Sequence, residues 1–105
     1  MQDAPYIKQI GNTIYYHYVD PKWEKDIIDC IFKLFKIHKE WEEKLITYES
    51  YYDYKEREDT KWYLCFAVYH LLHKKNIHLP LKLLHKEITI TLYRIGLYGY
   101  GFPFY

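Results

Sequence analysis

The spacing of hydrophobic and polar positions changes several times along the chain, and each change marks an expected element. Residues 6–10 (YIKQI) and 13–19 (TIYYHYV) are rich in β-branched and aromatic side chains, and Gly11-Asn12 between them is a two-residue turn signal. This pattern predicts a β-hairpin. Strand alternation places Tyr16 and Tyr18 on one face of its second strand, and Tyr15 and His17 on the other. The spacing then switches to fours and threes through Ile27, Ile31, Leu34, His38, Trp41 and Leu45, one apolar stripe of an amphipathic helix. Asp20 suits its N-cap and Pro21 its first position, while Glu24, Asp26 and Asp29 favour the positive end of the helix dipole.

The stripe continues through Tyr48 and Tyr52, yet residues 46–54 (ITYESYYDY) carry strong strand propensity, and a strand is expected there with Tyr52 and Tyr54 on one face. Asp59-Thr60 caps a second helix running to about Lys75, with Asn76 as its left-handed stop. Trp62, Cys65, Phe66, Tyr69 and Leu72 form one of its stripes, and Leu64, Val68 and Leu71 another. A helix apolar on two sides belongs at the centre of a core. After Leu79-Pro80, residues 80–87 suit a short helix, and the alternating, β-branched segment 88–95 (ITITLYRI) reads as a C-terminal strand before an aromatic, glycine-interrupted tail.

One stretch occurs twice. Tyr15, Tyr16 and Tyr18 match Tyr51, Tyr52 and Tyr54; Asp20, Lys22 and Trp23 match Asp59, Lys61 and Trp62; Cys30, His38 and Lys39 match Cys65, His73 and Lys74. The offset grows in the charged connection and shrinks by about one helical turn inside the helix, where a whole-turn deletion keeps the same face inward. The expectation is one domain over residues 1–105 with an internal duplication at about 10–39 and 46–75. Its class is α+β: two similar strand- or hairpin-plus-helix motifs packed side by side with a C-terminal strand.

This duplicated Tyr-Tyr-x-Tyr, Asp-x-Lys-Trp, Cys…His-Lys unit resembles the small two-motif orphan proteins of the Acidianus filamentous viruses of hyperthermophilic archaea. The resemblance covers about residues 10–75. It implies two similar motifs, a groove between them, no assigned activity, and a place in the host cytoplasm. It also makes intracellular disulfides admissible.

Composition narrows the functional classes. Half of the 105 residues are hydrophobic and 21% aromatic, which excludes a disordered chain. The longest apolar run, Trp62 to Leu72, is too short to span a bilayer, and MQDAPYIKQI lacks the pattern of a signal peptide, so an intracellular protein away from membranes is expected. Two cysteines without CxxC spacing point to a reducing compartment and no zinc finger. The net charge is +1, unevenly spread: Lys74, Lys75, Lys82, Lys86 and Arg94 outweigh the single acid Glu87 after residue 69. That asymmetry is the hint of an acidic partner.

No catalytic or cofactor motif stands out. His70, His73, His78 and His85 with Cys65 have no recognised zinc spacing, and they read as amphipathic histidines on partly buried helices. His38 and His73 suit helix C-termini. Cys30 and Cys65 read as small buried residues, Asp20 and Asp59 as caps. With no catalytic set and no cofactor, the sequence points to a non-enzymatic module that binds a protein or peptide between its two motifs, with Tyr16, Tyr18, Tyr52 and Tyr54 as contacts. A homodimer is compatible with that reading. The alternative is a nucleic-acid-binding protein using Lys74, Lys75, Lys82, Lys86 and Arg94. There Leu84, Ile88, Ile90, Ile95 and Tyr98 resemble core positions of a helix-turn-helix, though His85 stands where that motif wants a small residue and Thr89 where it wants glycine.

Overall fold

The computed structural model describes residues 6–46 and 54–99. Strands β1 (Tyr6–Ile10) and β2 (Thr13–His17) form an antiparallel hairpin in which Tyr6 faces His17, Lys8 faces Tyr15 and Ile10 faces Thr13. Gly11 takes φ 61° and Asn12 does not take a positive φ, the combination of a type II′ turn, whose twist matches the flanking strands. A 3₁₀ turn (Pro21–Trp23) then leads into α1 (Glu24–Ile37). Asp20 caps this turn by accepting the Lys22 N–H at 3.0 Å, with Pro21 at its first position.

Helix α1 stops at His38, whose extended backbone (φ −121°, ψ 78°) breaks the ladder before α2 (Lys39–Leu45). The expected single stripe is therefore carried by two helices, with Ile27, Ile31, Leu34 and Leu45 all buried. Helix α3 (Tyr54–Lys74) is the centre of the molecule and packs against α1, α2 and α4 (Leu81–Gly99). Leu64, Cys65, Val68 and Leu72 point into the core, as its two-sided pattern requires. Its end is a Schellman motif: Asn76 takes φ 62°, the Ile77 N–H reaches the Leu72 carbonyl, and the Asn76 N–H reaches that of His73.

The α+β class holds, as one hairpin with four helices. The C-terminal strand does not: residues 88–95 lie inside α4. Leu84, Glu87, Ile88, Thr91, Leu92 and Ile95 are buried at steps of three and four, so helical periodicity overrode β-branched propensity. The threonines fit because their hydroxyls bond back one turn, Thr89 to the His85 carbonyl at 3.0 Å and Thr91 to the Glu87 carbonyl at 2.8 Å. The strand expected over 46–54 falls mostly outside the described residues; Ile46 caps the end of α2 and Tyr54 opens α3. Trp23 lies just before α1, whereas Trp62 sits in the third turn of α3, because α3 begins upstream of the Asp59-Thr60 cap the sequence suggested.

Candidate functional site

The hairpin has two faces of opposite chemistry. Its inner face, carrying Tyr6, Lys8, Ile10, Tyr15 and His17, turns toward the helices, and a chain of charges fastens it there. The anchor is Glu87 of α4, fully buried. One of its oxygens accepts the Tyr18 backbone N–H at 2.6 Å, and the other accepts His17 Nδ1–H at 2.8 Å. Arg94, two turns along α4, stands 3.5 Å from the same carboxylate. Arg94 also lies 3.6 Å from Glu24 of α1, whose carboxylate is 3.4 Å from Lys8 Nζ on β1. Donors converging from β2 and α4 suit a carboxylate, which only accepts.

A histidine held by a buried carboxylate is also the geometry of a general base or of a metal ligand's outer shell. His17 is fully buried, and its Nε2 meets no hydrogen-bonding group of the described residues. No group of three or more His, Cys, Asp and Glu able to hold a metal ion occurs among the described residues. The pair is a buckle between hairpin and helix.

Beside it, Lys8, Ile10, Tyr15, Glu24, Ile28, Arg94 and Ile95 line a cleft of about 140 Å³. That is well below the roughly 300 Å³ at which ordinary ligand pockets begin. Its two cations are already engaged by Glu24, and Arg94 lies over the Tyr15 ring at 5.7 Å.

The outer face is different. Ile7, Gln9, Ile14 and Tyr16 form it, and none carries charge. Ile7 is 66% exposed, Ile14 50% and Tyr16 44%. An antiparallel sheet normally turns polar residues to water on its free side. This one turns two isoleucines and a tyrosine.

The residues singled out from sequence scatter. Tyr16 is on the outer face, but Tyr18 does not share it: β2 ends at His17, and Tyr18 turns inward, 8% exposed, with Lys86 Nζ 5.5 Å from its ring. Tyr54 is 76% exposed at the start of α3, and Tyr52 lies outside the described residues. Of the basic set, Arg94 is consumed by Glu87 and Glu24, and Lys75 pairs with Asp26 at 3.6 Å. Lys74, Lys82 and Lys86 are exposed. Cys30 and Cys65 are buried, free thiols; burial pushes the Cys30 thiol up and that of Cys65 to about 11, which disfavours the thiolate at both. His85, stacked 3.8 Å from Trp62, is held below its ordinary value by burial and then by Lys61, with Glu58 opposing.

Glu87 and His17 escaped the sequence reading as a pair. The signal was present in part: Tyr15 and His17 share a strand face, and Glu87 is the one acid in a basic segment. Only a helical assignment of 81–99 puts Glu87 in line with Leu84, Ile88 and Thr91.

No described helix is long and apolar enough to cross a membrane. Comparison with protein-family models, with curated proteins and with solved structures finds no match, so the resemblance to viral orphan proteins has no counterpart among them.

Proposed function

We propose that this chain is a non-enzymatic protein-interaction module whose contact surface is the outer face of its β-hairpin. The observation that carries this reading is the exposure of Ile7, Ile14 and Tyr16 on a rigidly anchored, uncharged sheet face. Glu87 and Arg94 hold the inner face, so the outer face is presented by a preformed element and loses little conformational freedom on binding. Tyrosine and isoleucine supply contact area, and Tyr16 adds a hydroxyl for a polar rim. Tyr16 is the residue shared with the tyrosine set expected from sequence. Nucleic acid is the weaker reading, because Arg94 and Lys75 are already in ion pairs.

The test is selection of binding peptides from a random displayed library, followed by calorimetry. The proposal expects peptides that bind the native chain and lose at least tenfold affinity to Ile14→Lys, while Tyr93→Lys on α4 binds normally. Binding that ignores Ile14→Lys, or a duplex DNA affinity abolished by Lys82→Ala and Lys86→Ala, overturns it.

A further inference from the structure

We infer that the occupant of the outer hairpin face is a second copy of this chain, packed face to face about a two-fold axis. The inference rests on the interaction-module reading and names its partner. Three observations select a second copy.

The first is charge. In an isologous contact every group meets its own equivalent, so a charged face repels itself. The one charged side chain of the hairpin strands, Lys8, is turned to the inner face and engaged by Glu24 at 3.4 Å. What remains outside, Ile7, Gln9, Ile14 and Tyr16, can meet its own copy without a like-charge penalty.

The second is the edge. A free peptide usually joins a hairpin by adding a strand, which needs an open edge. β1 is five residues long and carries Lys8 in its middle. Short length and lysine are features that guard an edge against strand addition, and the end of β2 is held by Glu87 through His17 and Tyr18. The face carries no such guard, and two sheets stack through their faces at about 10 Å separation.

The third is area. Ile7, Ile14 and Tyr16, the large side chains of the outer face, offer roughly 300 Å² between them, taking large side chains at about 150–200 Å² each. A standard interface buries about 800 Å² per partner. An unstructured peptide covering so small a patch would also have to give up its backbone freedom to be ordered there. A second hairpin is already ordered by its own Glu87 anchor. The contact is therefore a weak, concentration-dependent dimer.

Sedimentation equilibrium over a concentration series up to about 1 mM decides it. The expected result is a monomer–dimer equilibrium weakened at least tenfold by Ile14→Lys, and equally by Gln9→Lys, which adds the same charge without removing an apolar contact. Tyr93→Lys, placed on α4, leaves it unchanged. Far-ultraviolet circular dichroism confirms that each variant is folded. A chain that remains monomeric throughout, or dimers that survive both outer-face lysines, overturns the inference. If that monomeric chain still binds selected peptides through Ile14, the self-pairing fails while the interaction-module reading stands.

Discussion

Glu87→Gln is the sharpest perturbation of the buckle between hairpin and helices. The glutamine keeps the size of the side chain and one carbonyl acceptor, but removes the charge. In the native chain the two oxygens receive the Tyr18 N–H at 2.6 Å and His17 Nδ1–H at 2.8 Å, with Arg94 at 3.5 Å, all around a fully buried group. An amide can serve one of the two close donors and must turn its own NH₂ toward the other. Hydrogen bonds to a charged group are each worth about 1.5–3 kcal/mol, and breaking a buried pair costs about 3–5 kcal/mol when one partner is truncated. Because glutamine retains shape and one acceptor, the expected loss is about 2–4 kcal/mol. In a domain near this size, 1 kcal/mol shifts Tm by roughly 4–8 °C, so the midpoint falls by roughly 10–25 °C. Urea unfolding followed by tryptophan fluorescence measures the loss. The double variant His17→Leu/Glu87→Leu should cost less than the sum of its singles, by at least about 1 kcal/mol, because each single leaves a buried polar group stranded. A loss under about 0.5 kcal/mol for Glu87→Gln, or strict additivity of the pair, refutes the assignment of Glu87 as the anchor.

Other consequences are as direct. Gly96→Ala should be neutral or stabilise by up to about 1 kcal/mol, since a Cβ there meets the Ile46 carbonyl oxygen at 3.4 Å without overlap and alanine favours the helix; a clear loss in urea unfolding contradicts this. Gly11→Ala should destabilise by about 1 kcal/mol, because φ 61° disfavours a side chain, and unchanged thermal unfolding counts against the turn. Cys30 and Cys65 should react with a thiol reagent only at the rate of unfolding, and labelling within the mixing time at pH 7 argues against their burial. His85, held below its ordinary value of 6.5 by burial, binds a proton less readily in the folded chain than in the unfolded one. Its contribution to stability is present above that value and lost as pH falls below it, so His85→Gln should flatten the fall in stability between about pH 7 and 5, and an unchanged slope contradicts the assignment.

The hairpin, the Asp20-Pro21 start, the Asn76 stop and the central helix were legible because each rests on local chemistry. Gly11 and Asn76 hold positive φ, Asp20 accepts a backbone N–H, and apolar positions surround α3. Segment 88–95 was not legible, because ITITL satisfies period two and period 3.6 at once. Its helical state is decided by Leu84, Ile88, Leu92 and Ile95 meeting the core, a fact of tertiary packing. The break at His38 left no mark of glycine or proline. Tyr18 misled for a related reason: strand alternation was carried one residue past the end of β2, where the chain turns and Glu87 takes the Tyr18 N–H. The inner and outer faces of the hairpin followed from alternation, but which face stays bare depended on where α4 packs.

The central claim is that the hairpin is bound to the body by its inner face and pairs with a second copy of the chain through its outer face. Amide chemical shifts of the isotope-labelled chain, recorded from dilute solution to about 1 mM, test it residue by residue. The account predicts concentration-dependent shifts at Ile7, Gln9, Ile14 and Tyr16, with α1, α3 and α4 unmoved. Shifts centred instead on Tyr63 and Phe66, two exposed aromatics of α3, or none anywhere, would contradict it.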